Sequence, residues 1–185
     1  MILPIVAYGT TVLKKKGEEI SAEYPDLEQL IEDMYETMYE ASGVGLAAPQ
    51  IGKSIRLFVI DGSPFSDDDP EMEDFCMTFI NPTIIEEEGE EWSFNEGCLS
   101  IPDVREDVFR KSKIKIKYQD EDFEWIKEEF DGLKARIIQH EYDHIEGILF
   151  TDYLSPLKRR MLRRKLVDIS KGSIKVSYRM KFPSK

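Results

Sequence analysis

The chain has 185 residues, 41% of them hydrophobic, and a net charge of −12. That length suits a single domain over 1–185 with a core of its own, and ordinary apolar content excludes wholesale disorder. The acidic balance excludes wrapping DNA, yet eleven basic residues and one acid lie between Lys158 and Lys185, a local net of +10 against −22 for the rest.

So uneven a distribution predicts that the segment 157–185 is a basic tail with an anionic partner. Two cysteines, Cys76 and Cys98, make no disulfide framework, and reduced thiols in a cytosol are expected. The opening MILPIVAYG is apolar but short, has no leading positive charge and is broken by Pro4 and Gly9, so it does not read as a signal peptide. No apolar run approaches the ~18 residues of a membrane span. The expectation is a cytoplasmic chain with neither membrane nor DNA as partner.

In chain order, the first helix is predicted over Asp26–Ala41, where Leu27, Leu30, Ile31, Met34 and Met38 recur at helical spacing. Asp26 is its expected N-cap, with Gln29 placed to reach back, and Gly43 its expected left-handed end. Ile55–Asp61 reads as a strand rich in branched and aromatic residues. The acidic, proline-bearing stretch Ser63–Asp74 reads as a solvated loop. Strand-like pieces follow at Met77–Ile80, Thr83–Glu86 and Glu90–Phe94, then at Lys113–Tyr118 and Phe123–Phe130. A second helix is predicted from Leu133 to Glu146, between Gly132 and Gly147. A third, Leu157–Ser170, puts Leu157, Met161, Leu162, Leu166 and Ile169 on one face of a basic cylinder. The final SIKVSYRMKF alternates like a strand. Strands flanked by helices predict an α+β fold.

The most informative stretch is QHEYDH, Gln139–His144, which holds the chain's only two histidines. Helix positions four apart lie about 40° apart around the axis, so His140 and His144 can offer imidazoles to one divalent metal ion. Glu141 would then stand beside a bound water without being a ligand, the mechanical content of an HExxH motif. The bland alternative is two exposed histidines beside a surface glutamate, but the apolar neighbours Ile137, Ile138 and Ile145 argue for a buried helix. A catalytic site needs a third ligand and an open position. No histidine lies downstream. Cys98, in NEGCLSIP, is the upstream candidate, and its alternative is an inert core thiol.

Three segments together resemble the peptide deformylase family: GVGLAAPQ (Gly43–Gln50), EGCLS (Glu96–Ser100) and HEYDH (His140–His144). ILPIVAYG and GILFTDYL are also similar to it, so the likeness runs from about residue 2 to about 155. The resemblance implies antiparallel sheets surrounding a central metal-binding helix, with an N-terminal helix, a basic C-terminal helix and a short terminal strand. It implies one metal ion, ferrous iron foremost with zinc, nickel or cobalt able to substitute, on Cys98, His140 and His144. It implies removal of the formyl group from N-formyl-methionyl nascent peptides by a metal-activated hydroxide. Glu141 would be general base and acid, with Gln50 and the Leu99 N–H as oxyanion donors. Substrate contacts are expected from Gly43, Val44, Gly45, Gly97, Arg105, Leu133 and Ile137, and orienting roles from Glu96 and Asp143. The basic C-terminal helix would dock on the ribosome. Two competing readings are an ordinary zinc protease, indifferent to Cys98, and a metal-stabilised binding module, which would need neither Glu141 nor Gln50.

Overall fold

The structure, a computed structural model, describes residues 1–183. After a two-residue strand β1 (Ile5–Val6), α1 spans Leu27–Glu40. The apolar stripe expected there is buried, with Leu30, Ile31, Met34 and Met38 all in the core. Its ends differ from expectation. Asp26 takes a left-handed φ of 53° and its carboxylate caps nothing, while Gln29 reaches forward to Asp33 at 3.0 Å. At the other end the positive φ falls on Ser42, at 55°, and not on Gly43.

Five strands make one antiparallel sheet in chain order: β2 (Gly45–Ala47), β3 (Leu57–Asp61), β4 (Cys76–Cys98), β5 (Ile101–Gln119) and β6 (Trp125–Asp131). β3 lacks polar alternation because both its faces are covered. Leu57 and Val59 pack with α1, whereas Phe58 and Ile60 pack with Ile137 and Ile138 of α2 (Gly132–Ile145).

The three strand pieces predicted between Met77 and Phe94 are one continuous strand, bent by irregularities near Ile80, Ile84 and Glu88. Its acidic run looks like a loop in isolation. It stays in the sheet because Glu86, Glu88 and Glu91 stand opposite Lys115, Lys113 and Lys111 of β5, and opposite charges across a ladder stabilise the pairing.

The stretch Ser63–Asp74 is only partly the solvated loop expected. It winds through two short 3₁₀ turns, Ser63–Phe65 and Pro70–Met72, and Met72 is fully buried against the sheet.

α2 ends at Gly147, whose φ of 76° and close approach to the Lys14 backbone leave no room for a Cβ. α3 spans Pro156–Ser170, capped by Ser155 Oγ accepting from the Lys158 N–H at 3.2 Å. Its predicted apolar face is only half used: Leu166 and Ile169 are buried, but Leu157 and Met161 stand exposed. Of SIKVSYRMKF only Met180–Lys181 (β7) is a strand, and it pairs parallel with β1, outside the antiparallel sheet. No helix among the described residues is long and apolar enough to cross a membrane.

Candidate metal centre

β4 and β5 meet at a two-residue turn, Leu99–Ser100, with Cys98 paired to Ile101. This turn brings Cys98 over α2. The Cys98 Sγ, one nitrogen of His140 and one of His144 all lie within 4.8 Å of one another, and Sγ is 3.4 Å from His144 Nε2. A thiolate and two imidazoles at this spacing suit one late first-row metal ion, with bonds of about 2.0–2.3 Å.

Glu96 orients the set. Its Oε1 accepts from His140 Nδ1 at 2.8 Å, which turns the other ring nitrogen toward the centre. The same carboxylate accepts from Arg110 Nε at 2.8 Å and from an Arg136 guanidinium nitrogen at 2.9 Å. Burial would raise the Glu96 carboxyl, but the hydrogen bonds from His140 and Arg110 outweigh it and hold it well below the usual carboxylate range. Arg110 also donates to Asp143 at 2.7 Å, and Asp143 accepts from the Tyr153 hydroxyl at 2.8 Å. Asp143 thus sits on Arg110 and Tyr153 and has no direct bond to either imidazole.

Glu141 is buried beside His140, and its Oε2 has no partner among the described residues. Burial pushes its carboxyl up to about 7. The backbone opposite is bare for a reason: a Cβ on Gly45 would lie 2.4 Å from Glu141 Oε1. Gln50, also buried, takes the Ala47 N–H on its Oε1 at 2.9 Å. That bond fixes the amide, so Nε2 is the atom facing Cys98 Sγ at 3.5 Å and Ser100 Oγ at 3.3 Å. The Leu99 N–H, in the turn, donates to no protein group among the described residues.

Cys98, His140, Glu141, Gln50, Leu99 and Glu96 line one cavity of about 590 Å³. Gly43, Val44, Gly45, Gly97, Arg105 and Ile137, the residues expected to contact substrate, line this cavity. Arg105 lies across Gly97, where a Cβ would meet its guanidinium at 2.6 Å, and is held by Asn95 at 2.9 Å. Leu133 does not line the cavity; it packs against the core cluster behind Ile137. Phe65, Phe94 and Lys175–Tyr178 also line it, and none was expected there.

The family model for polypeptide deformylase matches residues 2–160. The chain belongs to the polypeptide deformylase family. It is 60% identical to the peptide deformylase of Christiangramia forsetii, over all of this chain and 97% of that one. It is 56% identical to that of Cytophaga hutchinsonii over the full length of both. Among solved structures, the peptide deformylase of Thermus thermophilus superposes with a TM-score of 0.82 at 39% identity, covering 93% of this chain and 99% of that one. That of Legionella pneumophila gives 0.80 at 40% identity, over 94% and 98%. Membership in the polypeptide deformylases makes the chain a metal-dependent hydrolase whose reaction is peptide deformylation, and the Cys98–His140–His144 group is its candidate metal centre.

Arg110 and Arg136, which hold Glu96, are also members of the site that motif reading missed. Both left a trace. Arg110 occupies an inward parity of β5 between Val108 and Ile114, and Arg136 precedes His140 by one helical turn.

Proposed function

We propose that this deformylase removes the formyl group from the initiator formyl-methionine of nascent polypeptides in the cytoplasm, releasing formate. One observation carries the reading: three convergent ligand atoms lie beside one cavity, whose wall includes the buried, unpartnered Glu141 carboxylate together with Gln50 and Leu99.

A divalent ion on Cys98, His140 and His144 would act as a Lewis acid and make a water acidic enough to attack near neutral pH. We favour ferrous iron, with zinc, nickel or cobalt able to take the same donors. Glu141, buried and with no partner for its Oε2 among the described residues, accepts the proton of the attacking water and hands it to the leaving amine. As the formyl carbon becomes tetrahedral, Gln50 Nε2 and the Leu99 N–H receive the negative oxygen.

The substrate backbone has a natural seat. β2 is an edge strand, paired only with β3, so its stretch from Gly45 presents an edge to which an extended peptide can add, with Gly43 and Val44 leading into it. Val44 and Ile137, backed by Leu133 and joined by Phe65, would surround the methionine side chain. Arg105 would reach the peptide backbone at the opposite wall.

The test is formate release from a formyl-methionyl tripeptide, assayed anaerobically with added metal. Glu141→Gln is expected to abolish turnover while metal still binds; a near-wild-type rate in that variant would overturn the assignment. Insensitivity to Cys98→Ala with cleavage of internal peptide bonds would point to a protease instead.

A second reading concerns α3. Arg159, Arg160, Arg163 and Arg164 are exposed, and none has an ion-pair partner among the described residues. Docking of this helix on ribosomal RNA would weaken steeply with salt. Co-sedimentation with ribosomes should be lost when these four arginines are reversed in charge, and unchanged co-sedimentation would remove the idea.

A further inference from the structure

The two carbonyls of the Leu99–Ser100 turn lie outside the β4–β5 ladder, so each needs an acceptor's partner from elsewhere in the chain. The Ser100 carbonyl takes the Tyr8 N–H at 2.8 Å. The Leu99 carbonyl takes the Tyr178 hydroxyl at 2.7 Å, a contact spanning 79 residues. Tyr178 is itself held by the terminal strand pair, where the Ile5 and Ala7 N–H groups donate to the carbonyls of Arg179 and Lys181, each at 2.9 Å. The ring is half-buried and forms part of the cavity wall.

We propose that Tyr178 is a positioning residue for deformylation: by gripping the Leu99 carbonyl, its hydroxyl holds the turn that carries the Leu99 N–H at the cavity wall. The proposal rests on the oxyanion role given above to that N–H. Leu99's N–H and C=O belong to the two peptide planes that flank one Cα. A turn anchored on its carbonyl side has less freedom to swing its N–H away from the reacting oxygen. Geometry at such a donor matters because the interaction is made fully only as charge develops. The C-terminal segment therefore reaches the chemistry without touching the substrate's reacting atoms.

The experiment compares full-length, metal-loaded wild type with Tyr178→Phe on a formyl-methionyl tripeptide. Loss of one hydrogen bond should lower kcat by about three- to ten-fold. KM, metal content and melting temperature should stay within error of wild type. Placing 4-aminophenylalanine at 178 restores a donor at the same place and should recover most of the rate. An unchanged kcat, a loss carried by KM alone, or a loss that the amino analogue does not repair would each overturn the proposal. A fall in melting temperature that tracks the rate loss in both variants would overturn it too, because it would make Tyr178 a purely structural anchor. Gln50→Ala and Glu141→Gln serve as controls. If they retain full activity the underlying site assignment fails, and if they lose it while Tyr178→Phe does not, only the present proposal fails.

Discussion

The Glu96 carboxylate and the His140 imidazole meet at 2.8 Å, oxygen to Nδ1, and the same carboxylate pairs with two buried guanidinium groups. Glu96 therefore serves both the ligand set and the core. Glu96→Ala should strand Arg136 as a buried unpaired charge and leave Arg110 to Asp143 alone, at a cost of about 3–5 kcal/mol in chemical denaturation. Glu96→Gln keeps the shape, and should lower metal affinity by about 10- to 100-fold, read by competition with a chelator.

Gly45 is a steric requirement of the general base. In Gly45→Ala the new methyl would fall 2.4 Å from the Glu141 carboxylate, so that side chain must move. Displacement of a reacting group by about 1 Å can cost about 10²-fold in rate, and kcat is expected to fall by that order. Metal content should be unchanged, since the three ligands lie on β4 and α2.

Gln50→Ala removes a donor whose amide is locked by the Ala47 N–H. The expected loss is about 10²–10³-fold in kcat with metal retained. A change confined to KM would place Gln50 in ground-state binding.

Removal of the metal should abolish formate release, and its return should restore it. Cys98→Ser replaces the soft ligand with a harder one, so activity should fall and the order of activating metals should change. Reconstitution of the variant with iron, zinc, nickel and cobalt in parallel reads this directly.

Phe79 stacks on Phe58 with ring centroids 4.8 Å apart and lies 4.5 Å from the Tyr118 ring, fully buried. Phe79→Ala should cost about 3–5 kcal/mol of stability. The site lies on the far stretch of the hairpin, so the folded fraction of this variant should keep its kcat.

What could be read before the structure was known follows the range of the interactions. His140, Glu141 and His144 share one helix, so their spacing alone places them together. Cys98 is 46 residues from His144 and reaches it through the β4–β5 turn at Leu99–Ser100, where the pairing shifts register between Gly97 and Cys98; residue reading offered Cys98 only as an upstream candidate, and the family resemblance set aside the inert-thiol alternative. The orienting arginines come from two further elements, and nothing adjacent to Glu96 in the chain foretells both. The strand pieces merged into one because cross-strand charge pairs are invisible along a single strand. The cap at Asp26 failed for a local reason: a left-handed backbone there turns the carboxylate away from the helix N–H groups.

The coverage of β3 on both faces has a consequence for synthesis of the chain. Leu57, Phe58, Val59 and Ile60 form an uncharged, strongly β-forming run, bounded by Arg56 and Asp61 as its nearest charges. One cover, α1, is made before it; the other, α2, begins only at Gly132, after β4, β5 and β6 have been translated. During that interval a sticky ribbon edge is open to neighbouring chains, and the flanking charges are its local guard against self-association.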